Sequence, residues 1–80
     1  MSVKDVVALR FKTLCKERSI TANELANISG VTASTVYSLF DERRRDVSVI
    51  TVKKLCDGLE ISLGEFFCSP EFDELEQEIY

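Results

Sequence analysis

Between Thr32 and Lys54 the chain gathers side chains suited to meeting a polyanion. Arg43, Arg44 and Arg45 stand in a row. A guanidinium fork matches two phosphate oxygens, and three in succession would track one strand of a nucleic acid. Asp41, Glu42 and Asp46 flank them, so a solvated basic turn is the alternative reading. Lys53 and Lys54 follow as secondary phosphate ligands. Upstream, Thr32, Ala33, Ser34, Thr35, Tyr37 and Ser38 offer hydroxyls and one methyl without a formal charge. Covalent and metal chemistry find no support. The 80 residues hold no histidine, and Cys15, Cys56 and Cys68 are far apart with no CxxC pair, which argues against a zinc site. No glycine-rich phosphate loop or nucleophile–base pair is present. The expectation is a non-enzyme without cofactor or metal, its reduced thiols acting as small core hydrophobes.

The elements that must hold those side chains lie in residues 20–40, ITANELANISGVTASTVYSLF. Thr21 followed three residues later by Glu24 is a capping box. Leu25, Ala26 and Ile28 give the helix after it an apolar side, with Ala26 small where two helices would cross. Gly30 fits a left-handed turn position. Thr32 caps the next helix, which carries Val36, Leu39 and Phe40 inward. This is a helix-turn-helix at about residues 21–40. A plain helical hairpin in a small all-α domain is the bland alternative.

The rest of the chain reads as more helix. Residues 3–18 place Val3, Val7, Phe11, Leu14 and Cys15 on one stripe. Lys4, Arg10, Lys12, Lys16 and Arg18 fall on the other faces, and Ser2 with Asp5 forms a second cap. Residues 41–47 read as an exposed loop. Ser48 caps a fourth helix over about 49–59, with Val49, Val52, Leu55, Cys56 and Leu59 inward. Ser62 and Glu65 box a short fifth helix bearing Leu63, Phe66 and Phe67. Pro70 then interrupts the chain, and 71–80 could add an amphipathic turn or two through Phe72, Leu75 and Ile79.

Eighty residues make one domain, marginal in size for a single core. No apolar run approaches the roughly 20 residues of a membrane span. The start, MSVKDVVALRFK, does not read as a signal peptide, so the expected compartment is cytoplasmic. The net charge of −4 is unevenly spread. Residues 1–60 hold ten basic residues against eight acids, whereas 61–80 hold six acids and no base. The acidity belongs to the C-terminal segment, and the reading module is slightly basic.

The spacing Leu25-Ala26, Gly30-Val31, Val36, Leu39 resembles the lambda-repressor-like, Cro/CI or xenobiotic-response-element class of bacterial and phage regulators. TVKKLCDGLEISLGEFF is similar to that family's fourth and fifth helices, and Val7, Phe11 and Leu14 match its first. The resemblance covers about residues 5–67. It implies an all-α, compact five-helix domain over 1–69 with a short acidic tail over 70–80. Three departures stand out. The family's partly buried arginine–glutamate pair is replaced by Cys15 and Phe40, which a hydrophobic contact can replace without loss. Ala22 stands where a phosphate-holding glutamine is common. The loop lacks the family's glycine near Glu42 and its asparagine-proline at 46–47.

The resemblance implies a sequence-specific transcriptional regulator of repressor type on double-stranded DNA. The N-terminal end of the third helix would face base edges through Ala33, Ser34 and Ser38 with Thr32, while Thr35 and Tyr37 join the basic residues on phosphates. That helix offers no Arg, Asn or Gln for a bidentate base contact, so direct readout is modest and more of the specificity comes from DNA shape or from an arginine reaching in from the loop. A solvated helix face accounts for the same hydroxyls. So short a reading unit calls for a homodimer on a near-palindromic site, through Phe66, Phe67, Phe72, Leu75 and Ile79. The acidic tail could also repel non-specific DNA or hold a basic protein partner. No sensor domain is present, so no small-molecule ligand is expected. The competing class is an interaction module of the same fold, an antitoxin-like or anti-repressor partner with weak or no DNA binding.

Overall fold

The computed structural model describes residues 2–75. It contains six helices there: α1 (Val3–Arg18), α2 (Ala22–Ser29), α3 (Ala33–Phe40), α4 (Val49–Gly58), α5 (Leu63–Phe67) and α6 (Pro70–Asp73). No described helix is long and apolar enough to cross a membrane.

Local chemistry accounts for where the helices begin. Ser2, Thr21 and Ser62 each accept the amide three residues on, and Asp5, Glu24 and Glu65 reach back to the cap amide, completing three capping boxes. The Ser2 amide holds the Asp5 carboxyl below its ordinary range. Thr32 and Ser48 cap α3 and α4. The ends of α1 and α4 are less orthodox: Ser19 and Glu60 take the left-handed conformation, at φ 55° and 60°, without a glycine to ease it.

The core joins Val7, Phe11, Leu14 and Cys15 of α1 to Leu25 and Ala26 of α2, Val36 and Leu39 of α3, Val52, Leu55 and Cys56 of α4, Leu59, and Phe66 of α5. α2 packs on both α3 and α4, and α1 closes over α3 and α6. Phe40 packs against the cluster that holds Cys15, so the two positions that depart from the family's ion pair share one hydrophobic body. The Lys12 ammonium sits 5.4 Å from the Phe40 ring centroid, within cation–π range.

Several positions correct the periodicity reading. Val3, Ile28 and Val49 are exposed rather than inward. All three lie at or next to a helix end. Lys4 is the reverse case, only 3% exposed; its ammonium donates to the main-chain carbonyl of Asp41, which gives the buried group an acceptor. Arg10 is half-buried and reaches across to α5. Its Nε donates to Phe66 O at 3.0 Å and its Nη2 to Glu65 O at 3.2 Å, tying α1 to the C-terminal end of α5. Cys68 is an exposed free thiol, not a core one.

Phe66 is the largest correction. Expected at a subunit contact, it is 0% exposed and stacks on Phe11 with centroids 4.4 Å apart. Its ring is already spent on the chain's own core. The aromatic cluster continues beyond Pro70: Phe72 lies 5.9 Å from Phe66 and 4.9 Å from Phe67, which docks α6 on the domain.

Gly58 has a packing role that the sequence reading did not assign. A Cβ there would fall on Ser29 Oγ and lie 2.9 Å from Ser29 Cα. Glycine is what lets α4 cross α2 at this distance.

Candidate nucleic-acid interface

The turn between α2 and α3 is built by Gly30 at φ 69°. Its amide donates to Ala26 O and Asn27 O, and the Val31 amide returns to Ala26 O at 3.1 Å. The last carbonyls of α2 are thereby satisfied while the chain reverses. Thr32 Oγ1 then accepts the Thr35 amide at 3.3 Å and shares a hydrogen bond with Thr35 Oγ1 at 2.9 Å. Val36 and Leu39 anchor α3 in the core, which fixes the rotation of the helix and hence its outward side.

That outward side is open to solvent. Thr32, Ser34 and Tyr37 are exposed, and Thr35 and Ser38 are half-buried. Ala33 is half-buried against the core, so its methyl is only partly presented. The Tyr37 hydroxyl donates to Asn23 Oδ1 at 3.0 Å. Asn23, near the start of α2, was not singled out from sequence; nothing in its type or spacing pairs it with a tyrosine on the next helix.

A groove of about 220 Å³ runs along the flank of α3. Thr35, Ser38 and Leu39 form one wall; Arg44, Asp46, Val47, Ser48 and Thr51 form the other. Four hydroxyls and one guanidinium thus share one depression. Ser48 and Thr51 were missed as part of this surface; the signal available was the Ser48 cap, which brings the first turn of α4 back toward α3.

The basic residues divide into distinct settings. Asp41 follows the last turn of α3 and grips Arg43: Oδ1 accepts the Arg43 amide at 3.0 Å and Nε at 3.1 Å, and Oδ2 accepts Nη2 at 3.1 Å. These bonds hold the Asp41 carboxyl down at about 2. The Arg44 amide donates to Asp41 O at 3.0 Å, and Arg44 lines the groove. Arg45 is exposed beside it. Lys53 pairs with Asp57 one turn along α4, and Lys54 is exposed. The structure therefore groups Thr35, Ser38 and Arg44 around one groove, with Lys53 turned toward an acid of its own helix. Val49 and Ile50 are 67% and 69% exposed at the start of α4, an apolar pair close to this face.

Among the residues expected at a subunit contact, Phe67 is exposed, Phe72 and Leu75 are half-buried, and Ile79 lies outside the described residues.

Two helices meeting across a glycine turn, held by three further core helices and presenting an open helix face, define a helix-turn-helix domain. The model of the Cro/C1-type HTH DNA-binding domain matches residues 10–69, and the chain belongs to that family. The structure is similar to the crystal structure of the prophage Lp1 protein 11, with 29% identity, a TM-score of 0.82, and coverage of 94% of this chain and 100% of that one. No curated protein matches the chain.

Proposed function

We propose that this DNA-binding domain acts as a repressor-type transcriptional regulator that seats α3 in the major groove of duplex DNA. B-DNA's major groove, about 12 Å wide, accepts one helix. The observation that carries the reading is the open, uncharged outer side of α3 lying between its own cap and the arginine turn. In this reading Ser34, Ser38 and Thr32 face base edges, with the partly presented Ala33 methyl able to meet a thymine methyl. Thr35, Tyr37, Arg43, Arg44, Arg45, Lys53 and Lys54 face phosphates. Two copies occupy a near-palindromic site, and Phe67, Phe72 and Leu75 supply the apolar contact between them.

Fluorescence anisotropy against the protein's own upstream region, over a range of salt, tests this. Log affinity should fall linearly with log salt, by about 0.9 for each phosphate neutralised. Replacing Arg43, Arg44 and Arg45 together with alanine should weaken binding to every duplex and flatten that slope. An unchanged slope removes the arginines from the interface.

One observation favours a second reading, a protein-interaction module of the same fold. Val49 and Ile50 expose two branched apolar side chains beside the face assigned to DNA, where a protein partner would cover them. Absence of salt-dependent binding to any duplex would select that reading over the first.

A further inference from the structure

Arg43 owes its setting to Asp41. The Asp41 carboxylate takes two donors of the Arg43 guanidinium, Nε and Nη2, side by side at 3.1 Å. A phosphate presents two oxygens to a guanidinium in the same way. Asp41 is itself fixed to the end of α3. Its amide donates to Ser38 O at 3.2 Å, and its carbonyl accepts from the Arg44 amide and from the buried Lys4 ammonium. The Arg43 side chain is 90% exposed and that of Asp41 only 27%. The acid is therefore the anchored partner and the guanidinium the exchangeable one.

We infer that Asp41 is a specificity-determining residue: its carboxylate holds the place on Arg43 that a DNA phosphate would take, and yields it only when α3 is seated on a matching sequence. This rests on the proposal that α3 meets DNA. On a random duplex, a phosphate must displace a carboxylate that is tethered two residues away, at high effective concentration. It gains only the difference between two similar ion pairs. On a matched duplex, the contacts of α3 hold the neighbouring phosphate just as closely, and the exchange proceeds. Phosphate contacts carry no sequence information of their own. A cation withheld from random DNA thus lowers the background against which a site must be found, and the ratio of the two affinities is what selects a site.

The test uses the full chain and two duplexes, one of random sequence and one selected from a random pool by the wild-type protein, titrated across a range of salt. Asp41→Asn should tighten random-duplex binding about two- to fivefold, the range expected of an exposed ion pair. It should steepen the salt slope there by about 0.9 and change the selected duplex less. In an Arg43→Ala background the gain should vanish. Glu42→Gln, which removes the same charge from the adjacent exposed residue, should give a smaller gain. Arg43→Ala alone, which leaves Asp41 in place, should weaken the selected duplex several-fold and the random one little. Equal tightening on both duplexes, a gain that survives without Arg43, or an equal gain from Glu42→Gln would overturn the inference in favour of general charge repulsion. Wild-type binding with these differences absent overturns the inference alone. No wild-type binding to any duplex overturns the proposed function with it.

Discussion

Replacing Gly58 with alanine tests whether the α2–α4 crossing is as tight as the structure has it. The added Cβ would meet Ser29 Cα at 2.9 Å and Ser29 Cβ at 3.0 Å. Carbon atoms pack favourably from about 3.5 Å, so the helices must part by roughly half an ångström. Rotating the Ser29 hydroxyl away cannot relieve this, because one of the opposing atoms belongs to the backbone. Overpacking of this kind costs about 1–3 kcal/mol. Alanine recovers up to about 1 kcal/mol of helix propensity in a helix interior, and less at the last residue of α4. The balance is a loss of about 1–2 kcal/mol. In a domain of this size each 1 kcal/mol moves Tm by about 4–8 °C, so a fall of about 5–15 °C is expected. Urea unfolding followed by far-UV circular dichroism should show a lower midpoint with the m-value unchanged. Ser29 is the partner in this contact. Ser29 Oγ is buried without a hydrogen-bond partner among the described residues, so Ser29→Gly in the Gly58→Ala background should return part of the loss. A Gly58→Ala protein as stable as the wild type would mean that the two helices do not cross at this distance.

Phe66→Ala removes the ring that Phe11 stacks on and should cost about 3–5 kcal/mol, a large share of the roughly 5–15 kcal/mol that holds such a domain together. A Tm within a few degrees of wild type would contradict its place in the core. Cys68 is exposed while Cys15 and Cys56 are buried with their thiols pushed up by that burial. A thiol reagent at neutral pH should therefore modify one cysteine quickly and the other two only on unfolding; two fast thiols would refute this. The Arg43 hydrogen bonds hold Asp41 at about 2 in the folded chain, against about 3.9 when unfolded. Its contribution to stability is thus present above pH 4 and is lost as pH falls toward 2. Thermal melts of wild type and Asp41→Asn should diverge above that window and converge below it; parallel curves would refute the pairing.

What could be read from the sequence was local. Thr21 with Glu24, Ser62 with Glu65, and Gly30 announce helix ends because the groups they satisfy lie within four residues. What escaped depends on partners far along the chain. Lys4 reads as a surface residue until Asp41, 37 residues away, offers its carbonyl. Arg10 reads the same way until α5 brings the carbonyls of Glu65 and Phe66 to it. Gly58 looks like a helix terminator, whereas its use is a contact with Ser29. Val3, Ile28 and Val49 keep the right period at helix ends and yet stay exposed. At the candidate interface, α3 and its outward hydroxyls were legible from the cap and the apolar stripe. The settings of Arg43 and Arg44 were not, because acids stand on both sides of the run in sequence and only the folded turn shows that Asp41 holds Arg43 while Arg44 lines the groove.

The burial of Phe66 also changes what a two-copy complex would look like. Among the described residues expected at that contact, the apolar surface left is Phe67 and parts of Phe72 and Leu75. Around these stand Glu71, Asp73 and Glu74, all exposed. A two-fold axis places the same patch on both sides of a contact, so these acids would face their own copies. Salt screens such repulsion, with a Debye length near 10 Å at 0.1 M, whereas salt weakens each phosphate contact of the arginine turn. Self-association and DNA binding should therefore respond to salt with opposite sign. Sedimentation equilibrium without DNA should show the dimer fraction rising between low and moderate salt. Replacing Glu71, Asp73 and Glu74 with glutamine should remove that rise. A dimer that weakens with salt would place the contact elsewhere, and the exposed pair Val49 and Ile50, the most exposed of the large apolar side chains, is the first surface to consider.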